Sequence, residues 1–112
     1  MRIAIPVSSG RLAQHFGHCE SFVMMDVDET SRTVTRTETL DAPPHQPGLL
    51  PAWLAEHGAN RILAGGMGSR AVDLLVAAGV QVTLGVSDGT PEELVSAWLD
   101  NTLQTGGNLC DH

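Results

Sequence analysis

The stretch that decides the fold lies near the start of the chain and reads Arg2-Ile3-Ala4-Ile5-Pro6-Val7. A short and nearly continuous apolar run of this kind, rich in β-branched side chains, is typical of a strand buried on both faces. The run is followed by Ser8–Gly17, a segment with two glycines. We therefore predict a buried strand over Arg2–Val7 and a loop over Ser8–Gly17.

Further strands and helices follow from this first strand in a regular order. Glycines after two helical patterns mark helix ends, and Thr90 followed by Pro91-Glu92-Glu93 marks a helix start. The predicted strands are Ser21–Val27, Arg32–Leu40, Arg61–Ala64 and Val80–Leu84, and the predicted helices are Leu49–His57, Ser69–Ala78 and Pro91 to about Thr102, the last capped by Thr90. The order β-β-β-α-β-α-β-α predicts an α/β protein.

Connection rules turn this order into one sheet. The first three strands suit an antiparallel meander, and the last two strands alternate with helices, which favours right-handed parallel crossovers. We expect a five-stranded mixed sheet of order 3-2-1-4-5 with strand 2 antiparallel, and helices on both faces. This three-layer α/β/α arrangement suggests a ribonuclease H-like fold. Residues 1–104 would form a single domain, and residues 105–112 a flexible tail.

The predicted topology brings four segments to one rim. Ligands in open α/β sheets bind where the strand order reverses, beyond the carboxyl ends of the strands. The loops after strands 1 and 4 lie there, together with His18-Cys19-Glu20 before strand 2 and the Pro-rich loop that holds His45. The rim would therefore hold three of the five histidines and one of the two cysteines.

The composition limits the classes of partner. The chain has 112 residues, 42% of them hydrophobic, and a formal net charge of −7 with six arginines and no lysine. This charge disfavours nucleic acid and acidic membrane surfaces, because both carry negative charge. No apolar stretch approaches the length of a transmembrane helix, and the first residues look like a strand rather than a secretory signal. We expect a cytoplasmic protein.

The densest group of possible ligands is His15-Phe16-Gly17-His18-Cys19. Imidazole and thiol groups suit zinc, copper, iron and thiometallates. His15, His18 and Cys19 are therefore candidate metal ligands. The alternative is a polar loop with a small buried thiol at the head of a strand.

The second candidate is the glycine turn Gly65-Gly66-Met67-Gly68-Ser69-Arg70. Glycines between a strand and a helix let backbone N–H groups approach a ligand, and the start of the helix favours an anion. Ser69 is expected to cap this helix, while Arg70, and Arg11 from the first loop, would add positive charge. The alternative readings are a tight strand-to-helix turn and a solvated Arg11.

Other residues of the sequence bear on its chemistry. Cys110-x-His112 either adds ligands or belongs to a disordered tail, and a Cys19–Cys110 disulfide is less favoured than free thiols or metal ligands. Strand 1 has no acidic residue, unlike the metal-dependent nucleases of ribonuclease H-like fold. No catalytic triad can be argued from spacing. We therefore expect a protein that is not an enzyme.

Together, these segments resemble the nitrogenase iron–molybdenum cofactor biosynthesis family. The matching pieces are Ile3–Val7, His15–Phe22, Ile62–Ala71 and Leu75–Val82. Within the family, the compact chain looks like the orange proteins, which hold a molybdenum–copper sulfide cluster without covalent attachment. The resemblance implies a ribonuclease H-like fold and non-catalytic binding of such a cluster, or of a related iron–molybdenum–sulfur cluster.

The expected function is therefore that of a carrier for a metal–sulfur cluster, working with cofactor-assembly or ATPase partners. Arg11, His15, His18 and the Gly65–Arg70 turn would hold the anion, and Phe16 and Met67 would supply apolar contact. Two alternatives remain open. One is an anion- or nucleotide-binding regulatory module, and the other is a protein-interaction module without a ligand.

Overall fold

The computed structural model describes residues 1–44, 46 and 48–106 of the chain. Its regular elements alternate much as the sequence predicts. The strands are β1 (Arg2–Ser8), β2 (Arg11–Leu12), β3 (Ser21–Asp28), β4 (Thr33–Asp41), β5 (Arg61–Leu63) and β6 (Gln81–Thr83), and the helices are α1 (Leu49–Glu56), α2 (Ser69–Ala77) and α3 (Pro91–Leu99). A single 3₁₀ turn covers Phe16–His18. No helix in these ranges is long and apolar enough to cross a membrane.

The strands form one mixed sheet of six strands. Its main path is β4-β3-β1-β5-β6, and β2 pairs only with β1. β3 is antiparallel to both β1 and β4, whereas β5 is parallel to β1 and to β6. The mixed α/β sheet is confirmed, and the path follows the expected order of the five longer strands. The predicted count of five was wrong, because β2 adds a sixth strand.

β2 exists because β1 changes its neighbour halfway along. β5 pairs with β1 only at Ile3 and Ala4, so the second half of β1 is left open on that side. A tight turn through Ser9 and Gly10, both with positive φ, folds the chain back. Arg11 and Leu12 then pair with the end of β1. Pro6 lies between the two neighbours, where the missing N–H of proline is tolerated.

Alternate side chains of the central strands enter two separate cores. One core contains Ile3, Ile5 and Val7 and is covered by Leu94, Val95 and Trp98 of α3. The opposite core contains Ala4, Phe22 and Met24 and is covered by Leu54 of α1 and Leu75 of α2. The period-two alternation of strands therefore produces three layers, with α1 and α2 on one face and α3 on the other.

The ends of two helices are capped differently. Thr90 Oγ1 accepts a hydrogen bond from the Glu93 backbone N–H, and the Glu93 carboxylate accepts one from the Thr90 N–H, which completes a capping box at the start of α3. α2 instead begins at Ser69, with Gly68 as the N-cap and no side-chain cap. The expected cap by Ser69 was wrong, because Ser69 is itself the first helical residue.

The last described residues return to the sheet. Thr105 forms an isolated antiparallel bridge with Val86, and the Gly106 N–H donates to the Gly85 carbonyl oxygen at 2.6 Å. Residues 104–106 therefore lie along the segment that follows β6. The rest of the predicted tail, residues 107–112, lies outside the described residues.

Candidate functional site

An open groove lies at the rim where β1 and β5 end. Its volume is about 350 Å³, at the lower end of the range for small-ligand pockets. Its lining residues come from the 3₁₀ turn and the start of α2, and we call it the His groove: His15, Phe16, Gly17, His18, Met67, Gly68 and Ala71. The predicted convergence of the first loop and the glycine turn is therefore present.

Two exposed imidazoles and a buried apolar floor define the His groove. The ring centroids of His15 and His18 are 6.2 Å apart, in an edge-on arrangement. Both histidines are exposed, whereas Phe16 and Met67 are buried. The 3₁₀ turn holds this geometry, because the His18 N–H donates to the His15 carbonyl oxygen at 3.1 Å. The floor is therefore part of the protein core, and the two rings stand at the groove's mouth.

The groove borders a second hollow, which we call the apolar trough. It has a volume of about 220 Å³ and shares Phe16, Gly17 and Ala71 with the His groove; its other lining residues are Gln46, Gly48, Leu50, Pro51, Arg70 and Leu74. Arg70 supplies the only charged side chain among the described residues that line either hollow. None of the acidic residues that the structure describes lies in these two linings.

The start of α2 adds partial positive charge. The first N–H groups of a helix have no partner within the helix, and this end has no side-chain cap. The aligned peptide dipoles favour an anion at such an end. Gly68 and Ala71 bring this helix end to the His groove, and Arg70 lies on its first turn.

The first two glycines of the turn serve packing. Gly65 and Gly66 are buried, and their carbonyl oxygens accept hydrogen bonds from the Gly85 N–H and the Phe16 N–H, both at 3.0 Å. A Cβ atom on Gly65 would lie 3.3 Å from the Gln14 carbonyl oxygen. Gly65 lines a different hollow, with Gln14 and Gly85. The exposed part of the predicted turn is therefore Gly68, Ser69 and Arg70, and Ser69 is not among the residues lining the groove.

Arg11 is not brought to the His groove. Its Nε lies 3.2 Å from Asp88 Oδ1, and both side chains are more than half exposed. Arg11 and Asp88 border a hollow beside the start of α3. The expectation that Arg11 helps to hold an anion together with Arg70 does not agree with this placement. Gly17 and Ala71, by contrast, line both the His groove and the apolar trough. Only Gly17 had a sequence signal for a place in the site, because it lies between the two histidines.

The comparison with known proteins decides the family. Residues 1–101 match the family model described as "Dinitrogenase iron-molybdenum cofactor". The chain belongs to this family. The resemblance inferred from the sequence is therefore confirmed, and the match covers both segments that form the His groove.

Individual proteins of known sequence or structure support the assignment to this family. An uncharacterized protein of Methanocaldococcus jannaschii is 31% identical over 85 residues, which are 73% of this chain and 72% of that protein. The crystal structure of PH0822 has 30% identity and a TM-score of 0.87, with 94% of each chain covered. The apo form of the orange protein from Desulfovibrio gigas has 27% identity and a TM-score of 0.72, covering 96% of this chain and 93% of the other.

Cys19 is poorly suited to act as a metal ligand in this protein. The thiol is half-buried beside the core under α1 and α2, and burial raises its pKa to about 11. Metal ligation requires the thiolate, so a metal would have to compete strongly with the proton. Within the described ranges, no three His, Cys, Asp or Glu side chains are grouped as a metal ion requires. The predicted set of His15, His18 and Cys19 is therefore not assembled as a three-ligand site.

Three other candidate residues lie outside the described part of the chain. They are His45 in the Pro-rich loop, and Cys110 and His112 in the tail. The described part of the site therefore consists of two imidazoles, one guanidinium group, an uncapped helix start and an apolar floor. This set can hold a soft anion through hydrogen bonds and charge, and it can offer two nitrogen ligands.

Proposed function

We propose that the protein is a non-catalytic carrier that binds a preformed molybdenum-containing metal–sulfur cluster in the His groove. One observation carries this proposal. A single groove joins the His15 and His18 rings to the uncapped start of α2, in a chain that belongs to the iron-molybdenum cofactor family. A metal–sulfide cluster is an anion with a soft, polarisable surface. It suits both the positive helix end and the apolar floor.

The donor set favours a complete cluster over a bare metal ion. A structural metal site usually needs three or four protein ligands. The described groove offers two imidazoles, and the pKa of Cys19 opposes its use as a third ligand. A preformed cluster already has its own sulfide ligands. Hydrogen bonds, the charge of Arg70 and one or two imidazole nitrogens can then hold it largely without covalent bonds.

The finer assignments belong to the same proposal. The cluster is a molybdenum–copper sulfide, as the likeness to orange proteins implies, or a related iron–molybdenum–sulfur cluster. The fold is of the ribonuclease H-like class, on the strength of the strand path and the three layers. The protein works in the cytoplasm and passes its cluster to a cofactor-assembly or ATPase partner. It performs no turnover of its own.

Reconstitution tests the proposal directly. The protein is incubated with tetrathiomolybdate and copper(I), desalted, and measured for bound Mo, Cu and sulfide and for visible charge-transfer bands. We expect retained Mo and Cu in fixed ratio to protein. We expect both to fall strongly in a His15→Ala/His18→Ala double variant and in Arg70→Ala.

Matched variants show whether the loss is local. Arg32→Asn removes one cation at the opposite end of the sheet, at a position whose φ of 58° suits asparagine. His57→Ala removes a histidine that contacts the Trp53 ring at the far end of α1, with ring centroids 4.4 Å apart. Both variants should retain metal. Wild-type protein that retains no metal would overturn the carrier function, and equal retention in every variant would overturn the site.

The same samples address the rival functions. Thermal stabilisation by phosphate or nucleotides without any metal, combined with no retained Mo, would favour an anion-binding regulatory module. Partner binding that survives loss of His15, His18 and Arg70, again with no retained Mo, would favour an interaction module without a ligand.

A further inference from the structure

The outer edge of β4 is an exposed strand edge. β4 ends the sheet path, and none of its nine residues is buried. Within residues 1–44, 46 and 48–106, no strand pairs with its outer side. Such an edge presents a row of backbone N–H and C=O groups that can pair with another strand. The question is which strand fits it.

Charges alternate across the sheet towards this edge. Arg2 of β1 lies opposite Asp26 of β3, and Asp26 lies opposite Arg36 of β4. Arg2 Nε is 2.8 Å from Asp26 Oδ1. Glu38 shares the face of Arg36, because the Arg36 guanidinium is 3.8 Å from the Glu38 carboxylate. The row of alternating charges therefore ends at Arg36, because no described strand lies beside the outer edge of β4.

We propose that β4 pairs antiparallel with β4 of a second copy, about a two-fold axis through Thr37. This axis places Arg36 opposite Glu38 of the second copy, and Glu38 opposite Arg36, so that two new ion pairs form by symmetry. Thr35 and Thr39 then face each other on the opposite surface. Opposite charges and threonines in directly opposed positions both stabilise strand pairs.

Neighbouring registers are electrostatically worse. Directly opposed residues of an antiparallel pair point to the same face of the sheet. A two-fold axis perpendicular to the sheet therefore lies midway between the two copies of one residue, and we name the axis by that residue. An axis through Arg36 would oppose two arginines, and an axis through Glu38 would oppose two glutamates. Both would place like charges in contact. The sequence of the edge therefore selects Thr37.

A bulge in β4 limits the affinity of this dimer. The β3–β4 register shifts between Asp26 and Val27, so Thr35 forms a bulge. Bulges bend edge strands and restrict pairing to short stretches. The paired segment then runs from about Thr35 to Thr39, and its ion pairs are exposed to solvent. We expect a weak dimer whose dissociation increases with salt. No residue of β4 lines the His groove, so both grooves stay open.

Cysteine cross-linking tests the register. In a background with Cys19→Ala and Cys110→Ser, Thr37→Cys places two thiols across the axis, where directly opposed Cα atoms lie about 4.5–5.5 Å apart. That distance permits a disulfide. Thr39→Cys is the matched control, because its two copies would lie about 13 Å apart. We expect mild oxidation to give covalent dimer from Thr37→Cys alone. Equal cross-linking of the two variants would overturn the register.

Charge reversal tests the pairing without oxidation. Arg36→Glu and Glu38→Arg should each weaken self-association by about tenfold or more, because each replaces two attractive pairs by two repulsive ones. An equimolar mixture of the two variants should form a heterodimer, since their charges complement each other. Sedimentation velocity over a hundredfold concentration range measures both effects, and circular dichroism confirms folding. Wild-type protein that stays monomeric throughout, or a mixture that does not associate, would refute the proposal.

Discussion

Asp26→Asn should destabilise the fold at neutral pH and not at acidic pH. Arg2 Nε donates to Asp26 Oδ1 at 2.8 Å, and Arg2 Nη2 donates to Asp26 Oδ2 at 3.2 Å. The side chains of Arg2 and Asp26 are 19% and 30% exposed. The hydrogen bonds from Arg2, followed by its charge, hold the pKa of Asp26 below its usual value against the opposing effect of burial.

The size of the loss follows from this geometry. A buried charge-assisted hydrogen bond contributes roughly 1.5–3 kcal/mol, and an exposed ion pair contributes about 0–1 kcal/mol. Since this pair is partly exposed, and Arg2 keeps Glu38 at 3.5 Å, we expect Asp26→Asn to lower the free energy of unfolding by about 1 kcal/mol. For a chain of this length the melting temperature should fall by about 4 °C.

The pH dependence has a definite sign. A carboxyl group whose pKa is lowered by folding stabilises the native state above its unfolded pKa of about 3.9. This stabilisation is lost as the pH falls through the lower folded pKa. The free energies of unfolding of wild type and Asp26→Asn in urea should therefore differ by a constant amount between about pH 5 and 8, and the difference should begin to shrink below about pH 4.

A second carboxylate provides the control. Asp88→Asn removes the ion pair with Arg11, whose side chain is 52% exposed against 62% for Asp88. The free energy of unfolding should change by no more than about 0.3 kcal/mol. Equal losses in the two variants, or a loss in Asp26→Asn that is undiminished at pH 3, would refute the assignment of stability to the Arg2–Asp26 pair.

Three further predictions concern single positions. In a Cys110→Ser background, alkylation of Cys19 by iodoacetamide should be slow at pH 8 and rise steeply towards pH 11, because the folded thiol has a pKa of about 11; a half-maximal rate near pH 8.5 would contradict it. The stability gained from keeping this thiol neutral is complete below its unfolded pKa and is lost as the pH rises through 11. Thr90→Ala should lower the free energy of unfolding by about 1 kcal/mol, because Thr90 caps α3, and Thr90→Ser should retain most of it. Met67→Ala should cost about 2–4 kcal/mol, because Met67 is only 1% exposed, whereas Met67→Leu should cost far less.

Much of the architecture could be read from the chain because strong local patterns determine it. The apolar run in β1, the alternation in β4 and the glycines after α1 and α2 each mark an element without help from the rest of the molecule. β2 was missed because two residues carry no periodicity. The Ser9-Gly10 pair was its available signal, since both residues adopt the positive φ of a tight hairpin turn.

Side-chain placement was harder to predict than strand order. Arg11 pairs with Asp88, which lies 77 residues further along the chain. The sequence around a charged loop residue gives no indication of so distant a partner. The sequence alone therefore could not show that Arg11 pairs with Asp88 instead of facing the site. The thiol of Cys19 presents a similar difficulty. Its position in sequence next to His18 favours ligation, but its pKa depends on burial against the core that α1 and α2 cover.

Gly65 explains why the His groove is already formed in the protein fold. A Cβ atom there would lie 3.3 Å from the Gln14 carbonyl oxygen and 3.6 Å from that of Val86. The absence of a side chain lets the first loop and the segment after β6 close on the turn from both sides. The Phe16 N–H can then reach the Gly66 carbonyl oxygen at 3.0 Å, and His15 pairs with Gly66 as a short parallel bridge. The histidines are thus placed beside the start of α2 by backbone packing, so the cluster of the proposed function would meet a preorganised groove and little ordering of the backbone would oppose its binding.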